Sequence, residues 1–286
     1  MKQAYRTFRF SSETRALIDF LDRLVGEYQR EGYVLSVRQL YYQLVARDVV
    51  PNTERSYKRV ASIINDARLA GLLDWDMIED RGRDIVVRNR WNSGADIVHA
   101  VAQQYHMDMW EGQERRVFVI VEKAALAGVL DRPTREYDVP LLAAKGYPSV
   151  SIVRELVETQ LMPAITDGQD CLVLHLGDHD PSGIDMTRDL QERIELFLEQ
   201  DGAASNVEVR RIALNMTQVE KYAPPPNPAK VTDSRFASYQ RKHGNESWEL
   251  DALEPAVLSA LVTKHIVAEI DQDLWKERED LIAEVR

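Results

Sequence analysis

Four short β-rich runs, 117–121 (VFVIV), 139–143, 171–176 and 207–214, set the terms on which this 286-residue chain can fold. A run such as VFVIV shows no polar alternation, so a strand made from it needs cover on both faces. The segments between them, around 149–160 and 184–199, repeat apolar residues at helical intervals and can supply that cover. Strands alternating with helices predict an α/β domain with a mainly parallel, Rossmann-like sheet over residues 115–286. Ligands of such sheets collect at the carboxyl ends of the strands. Glu122 directly follows VFVIV, and Asp178 and Asp180 follow LVLHLG, so three carboxylates are expected at one edge. An all-oxygen cluster of this kind suits Mg²⁺, or Mn²⁺ in its place.

The first 92 residues carry a different pattern. Ala16, Leu17, Phe20, Leu21, Leu24, Val25 and Tyr28 recur at helical spacing and predict an amphipathic helix over 12–30. Ser36-Val-Arg-Gln39 reads as a capping box opening a second helix, with Val37, Leu40, Tyr41, Leu44 and Val45 on its apolar stripe. Tyr42 falls off that stripe and shares a face with Arg38, one turn earlier. A third helix runs from Pro51-Asn52-Thr53 to Gly71, with Arg55, Lys58 and Arg59 off its apolar face. Residues 77–88 read as a hairpin around Asp80-Arg81-Gly82-Arg83. Three helices and a basic-tipped hairpin predict a winged helix, in which Arg55, Lys58, Arg59, Arg81 and Arg83 would meet DNA phosphates. Residues 93–114 are expected to be a linker. Four prolines within Ala223–Ala229 predict a second irregular segment.

Charge and cofactor signals narrow the function. The net charge of −11 argues against coating a polyanion by bulk charge, yet residues 1–90 hold 16 basic against 13 acidic side chains, leaving −14 for the rest. The first module is therefore the one suited to nucleic acid. A single cysteine gives no internal disulfide, and no apolar run is long enough for a membrane span, so a cytoplasmic protein is expected. No GxxxxGK[ST] loop or HExxH motif occurs. The stretch from Asp178 to Asp189 nearly fits a calcium loop, but a strand pattern precedes it where a helix is required.

Several of these residues occur together in a known family. Glu122-Lys123 after a strand, Gly146-Tyr147-Pro148, Asp178-x-Asp180-Pro-x-Gly183, Arg211-Ile-Ala-Leu-Asn-Met-Thr and Trp248-Glu-Leu-Asp-Ala-Leu253 resemble the TOPRIM domain of topoisomerase VI A subunits and the related meiotic double-strand-break protein. Arg38-Gln-Leu-Tyr41-Tyr42 is similar to the winged-helix motif of that family whose last tyrosine is the nucleophile. The resemblance implies a winged helix before a TOPRIM domain, Tyr42 and Arg38 as catalytic residues, and Glu122, Asp178 and Asp180 as Mg²⁺ ligands. It further implies double-stranded DNA as substrate, a 5′-phosphotyrosyl intermediate, a homodimer, a separate B-type ATPase subunit, and a nucleoid-associated location. Two other readings stay open at this point: a hydrolytic TOPRIM nuclease tied to defence or plasmid elimination, and a non-catalytic winged-helix DNA-binding module.

Overall fold

The computed structural model describes residues 1–79, 90–103, 106–229 and 231–285. At its centre is a four-stranded, all-parallel sheet made of β1 (Arg115–Val121), β2 (Leu141–Ala143), β3 (Asp170–Leu176) and β4 (Val207–Ala213), in the order β2-β1-β3-β4. The four predicted runs thus become the four strands. Both faces are covered, as runs without alternation require. Val117, Val119 and Val121 join Leu172, Leu174 and Leu176 in one core, while Phe118 and Ile120 join Cys171 and Val173 in the other. Consecutive strand residues point to opposite faces, so each run feeds two cores at once.

Helices α1 (Ser12–Arg30), α2 (Val37–Ala46) and α3 (Glu54–Leu69) form the amino-terminal unit, and α4 (Gly94–Gln103) follows. Ser11, Ser36 and Thr53 each accept a bond from a first-turn N–H, and Ser36 with Gln39 completes the predicted capping box. Around the sheet lie α5 (Ala127–Glu136), α6 (Val150–Leu156), α7 (Met162–Thr166), α8 (Pro181–Leu198), α9 (Met216–Tyr222), α10 (Phe236–His243), α11 (Pro255–Val267) and α12 (Gln272–Val285). Side chains of α5 and α11 fill one core and those of α6, α7 and α8 the other. The single helix expected around 149–160 is broken by a π-turn over Val157–Leu161.

Other expectations are modified. The stripe of α1 is rotated: Ile18 is buried and Ala16 exposed. Tyr42 does not lie off the core. It is as buried as Tyr41, because α2 packs on a second face against the turn Leu250–Ala252, and Ala252 belongs to the same core as Leu40 and Leu44. Periodicity read within one helix cannot register a partner 200 residues away. The join carries Trp110, wholly buried against Trp275 and donating from Nε1 to the Tyr137 carbonyl at 2.8 Å. Within the proline-rich segment, Asn227–Pro228 pairs antiparallel with Glu246–Ser247. Ile78–Glu79 pairs in parallel with Leu35–Ser36. The remainder of the predicted hairpin, with Arg81 and Arg83, lies outside the described residues.

Candidate active site

Strand order creates the site. The chain leaves β1 for β2 on one side and returns to β3 on the other, so the connections after β1 and β3 diverge and open a crevice between their carboxyl ends. Glu122 directly follows β1 and Asp178 follows β3. The Asp178 N–H donates to Glu122 Oε2 at 2.9 Å, which ties the two strand ends together. Asp180 caps α8, its Oδ1 accepting from Gly183 N at 2.6 Å and Ser182 Oγ at 2.9 Å, with Pro181 at the first helical position. Gly183 is obligatory in this turn: a Cβ there would stand 2.3 Å from the Asp178 carbonyl oxygen. Arg211 on β4 braces the same loop from below, donating to the carbonyls of Asp178 at 2.6 Å, Gly183 at 2.7 Å and Gly177 at 3.0 Å. Burial pulls this guanidinium down to about 10 against the opposing pull of Glu122, Asp178 and Asp180.

A second pair of carboxylates enters from far along the chain. His179 and Trp248 exchange backbone hydrogen bonds at 2.8 and 3.0 Å, and Leu250 N donates to Asp178 Oδ1 at 2.7 Å. These bonds lay Glu249 and Asp251 beside Asp178, where one oxygen from each of the three lies within 4.8 Å of the others. The Lys123 ammonium meets them all, at 2.9 Å from Asp178 Oδ1, 2.9 Å from Asp251 Oδ1 and 2.5 Å from Glu249 Oε2. Burial, reinforced by the neighbouring carboxylates and opposed by Lys123, pushes Asp178 up to about 7. Burial also raises Glu122, while the Asp178 N–H works against that rise and the Asp180 charge adds to it.

Of the three carboxylates expected as ligands, Asp178 therefore belongs to the tightest group, whereas Glu122 and Asp180 flank it with oxygens engaged by backbone N–H groups. Glu249 and Asp251 complete the group. A divalent cation fits the donor set, which is all oxygen and includes the fully buried Asp251. His175 and His179 take no part. The Nδ1 of His175 faces Thr187 Oγ1 at 2.8 Å and that of His179 faces the Tyr239 hydroxyl at 2.9 Å.

Arg38 connects this cluster to Tyr42. Its guanidinium pairs with Glu249 and lies 3.2 Å from Asp251 Oδ2, while its carbon sits 6.0 Å from the centre of the Tyr42 ring. A cavity of about 350 Å³ over the carboxylates and Lys123, and one of about 540 Å³ beside Tyr42, are both lined by Arg38 and Glu249. The Tyr42 hydroxyl accepts from Asn227 Nδ2 at 3.2 Å. Burial, followed by the charges of Glu249 and Asp251, pushes it up to about 12, with Asn227 and Arg38 pulling the other way. Tyr41 is built into the structure by its hydroxyl, which accepts from Thr53 N at 2.8 Å and reaches the Thr53 carbonyl at 3.0 Å.

No family model matches this chain, and no curated protein matches it. No helix among the described residues is long and apolar enough to cross a membrane.

On α3, Arg55, Lys58 and Arg59 are exposed, Lys58 paired with Glu54 and Arg59 with Glu13, both at 2.7 Å. Lys58 also lines the cavity beside Tyr42. Sequence reasoning nominated neither Asn227 nor the pair Glu249 and Asp251 as site residues. The acidic pair repeats the one-residue spacing of Asp178 and Asp180, which was the available signal.

Proposed function

We propose that this chain is a divalent-metal-dependent DNA-cleaving enzyme of the topoisomerase VI A-subunit type, a winged helix joined to a TOPRIM domain, in which Tyr42 is the nucleophile. The observation that carries the reading is Arg38, one turn before Tyr42 on α2 and paired with Glu249 and Asp251 of the acidic cluster. Nucleophile, phosphate-binding cation and carboxylates thereby line two cavities that have Arg38 and Glu249 in common.

In this reading a DNA phosphate enters between Arg38 and Tyr42. The tyrosine oxygen forms a bond to phosphorus and gives up its proton to solvent. The bond from phosphorus to the 3′ oxygen breaks, and that oxygen takes a proton and leaves as a hydroxyl. A 5′-phosphotyrosyl bond remains. Arg38 offsets charge on the phosphoryl oxygens. Asp178, Glu249 and Asp251 would hold a divalent cation such as Mg²⁺, which when bound would supply positive charge to offset that of the departing oxygen. Lys123 keeps the carboxylates together, and Arg55, Lys58 and Arg59 carry the flanking backbone. The proposed dimer, in which two chains present two depressions to one duplex, and a B-type ATPase partner belong to the same reading.

A hydrolytic nuclease is the second reading, and the burial of Tyr42 favours it, since a packed phenol pushed up to about 12 is a poor nucleophile until something lowers it. Supercoiled plasmid incubated with Mg²⁺ or Mn²⁺, stopped with denaturant and run on a gel with and without protease separates the two. DNA that enters the gel only after protease carries a protein adduct, as transesterification requires. Free nicks and breaks bearing 5′ phosphates without protein would establish hydrolysis, and full cleavage in chelator would remove the metal from either reading.

A further inference from the structure

We propose that Asn227 is a catalytic hydrogen-bond donor to the Tyr42 oxygen and that Asn52 positions it, an inference that rests on Tyr42 being the nucleophile. The direction of the chain of bonds is fixed from one end. Asn52 Nδ2 lies 2.9 Å from the carbonyl oxygen of Pro226, which can only accept, so the nitrogen of Asn52 must face it. That same nitrogen is 2.9 Å from Asn227 Oδ1, which must therefore be the oxygen of the second amide. The Asn227 NH₂ is then left to face Tyr42, 3.2 Å away. Nothing in this sequence of bonds can be reversed without setting two acceptors or two donors against each other.

The platform is stiff. Asn227 stands between Pro226 and Pro228, so its own backbone is confined to extended conformations. Asn227 pairs with Ser247 in the short antiparallel ladder, and its carbonyl accepts from Ser247 Oγ at 3.3 Å. Asn52 comes from the turn that opens α3, and Tyr42 from α2. Two amino-terminal residues and one carboxyl-terminal residue thus meet in one chain of hydrogen bonds. A neutral donor suits the reaction: it stabilises an oxygen that becomes more negative as the proton leaves, and it adds no charge of its own to the site. It also works against the burial that disfavours the phenolate of Tyr42.

The same bonds would exist if Asn52 and Asn227 only latched the two halves together. Asn227→Asp distinguishes these roles, since a carboxylate still accepts from Asn52 but has no N–H for Tyr42. The experiment measures single-turnover adduct formation on supercoiled DNA with Mn²⁺ for wild type, Asn227→Asp, Asn227→Ser, Asn52→Ala and Tyr42→Phe, with DNA affinity determined for each. It also records the ¹³Cζ resonance of Tyr42 in the free protein, identified by its loss in Tyr42→Phe. We expect Asn227→Asp to lose tenfold or more in adduct rate at saturating DNA and to shift the Tyr42 resonance. The hydroxyl donor of Asn227→Ser should recover part of that rate. Asn52→Ala should fall between, because the donor remains but is free to turn. An unshifted resonance, or an Asn227→Asp adduct rate equal to wild type while Tyr42→Phe is inert, would overturn the donor role and leave the nucleophile assignment standing. Wild-type cleavage by Tyr42→Phe would overturn both.

Discussion

The Lys123 ammonium lies 2.9 Å from Asp251, a carboxylate with no exposure to solvent, and it is shared with Asp178 and Glu249. A buried lysine is ordinarily driven towards neutrality, but here the three carboxylates hold it charged, well above its usual range despite the cost of burial.

Removing that charge should be severe. Lys123→Met leaves three carboxylates facing one another, and breaking a buried ion pair from one side costs about 3–5 kcal/mol. Urea unfolding is expected to show a fall in stability of that order. Mg²⁺ or Mn²⁺ should raise the melting temperature of Lys123→Met by more than that of wild type, because the ion replaces the missing counter-charge. An equal rise in both proteins would place cation binding away from this cluster.

Tyr41 and Tyr42 should separate cleanly under substitution. Tyr42→Phe removes the oxygen on which the proposed chemistry depends, so no covalent adduct should form, while folding and DNA binding persist. Tyr41→Phe leaves the Thr53 N–H without its acceptor and should lower stability by about 1–3 kcal/mol, with adduct formation retained. Denaturation curves and adduct gels on the two variants check both halves.

His175 makes stability pH-dependent in a stated direction. Burial, with Arg211 adding to it, holds its ring down at about 3 against an ordinary 6.5. Above pH 6.5 it is neutral in both states and its contribution is fully present. As pH falls from 6.5 towards 3 the unfolded chain takes up a proton that the folded one refuses, and stability drops by up to about 1.4 kcal/mol per pH unit. Asp178, raised to about 7, works in the opposite sense over part of this range, so the comparison to make is with His175→Gln. The difference between the two urea midpoints should change between about pH 7.5 and 5; a constant difference would mean that the ring titrates normally.

The basic face of α3 is tested by salt. Replacing Arg55, Lys58 and Arg59 together with Ala should weaken binding to all duplexes alike and lower the slope of log affinity against log salt by about one for each phosphate that is no longer neutralised. An unchanged slope in the triple variant would put the DNA on another surface.

The sheet and the amino-terminal helices were legible because their signals are local. VFVIV needs two covered faces whatever surrounds it, and Ser36 with Gln39 starts a helix within four residues. Gly183 could also be read in place, since its role depends on Asp178 five residues before it. The misplaced details depend on distant partners. Tyr42 looked solvent-facing because the turn that covers it begins at Leu250, and Asn227 looked like loop because its partner strand is Glu246–Ser247. Glu249 and Asp251 share the spacing of Asp178 and Asp180, but only the bridge between His179 and Trp248 shows where that second pair ends up.

That bridge makes the charged cluster a certificate of completed folding. Asp178 is set at the end of β3, yet the two carboxylates beside it arrive only when the segment from Trp248 to Asp251 has docked; Leu250, which donates to Asp178, stands 72 residues further along the chain. A chain that ends before Trp248 lacks the acidic pair that faces Arg38, and with it the α11 side chains that fill one core of the sheet. Any reactivity needing these groups together is thereby withheld from immature molecules, a safeguard for a protein whose proposed product is broken DNA.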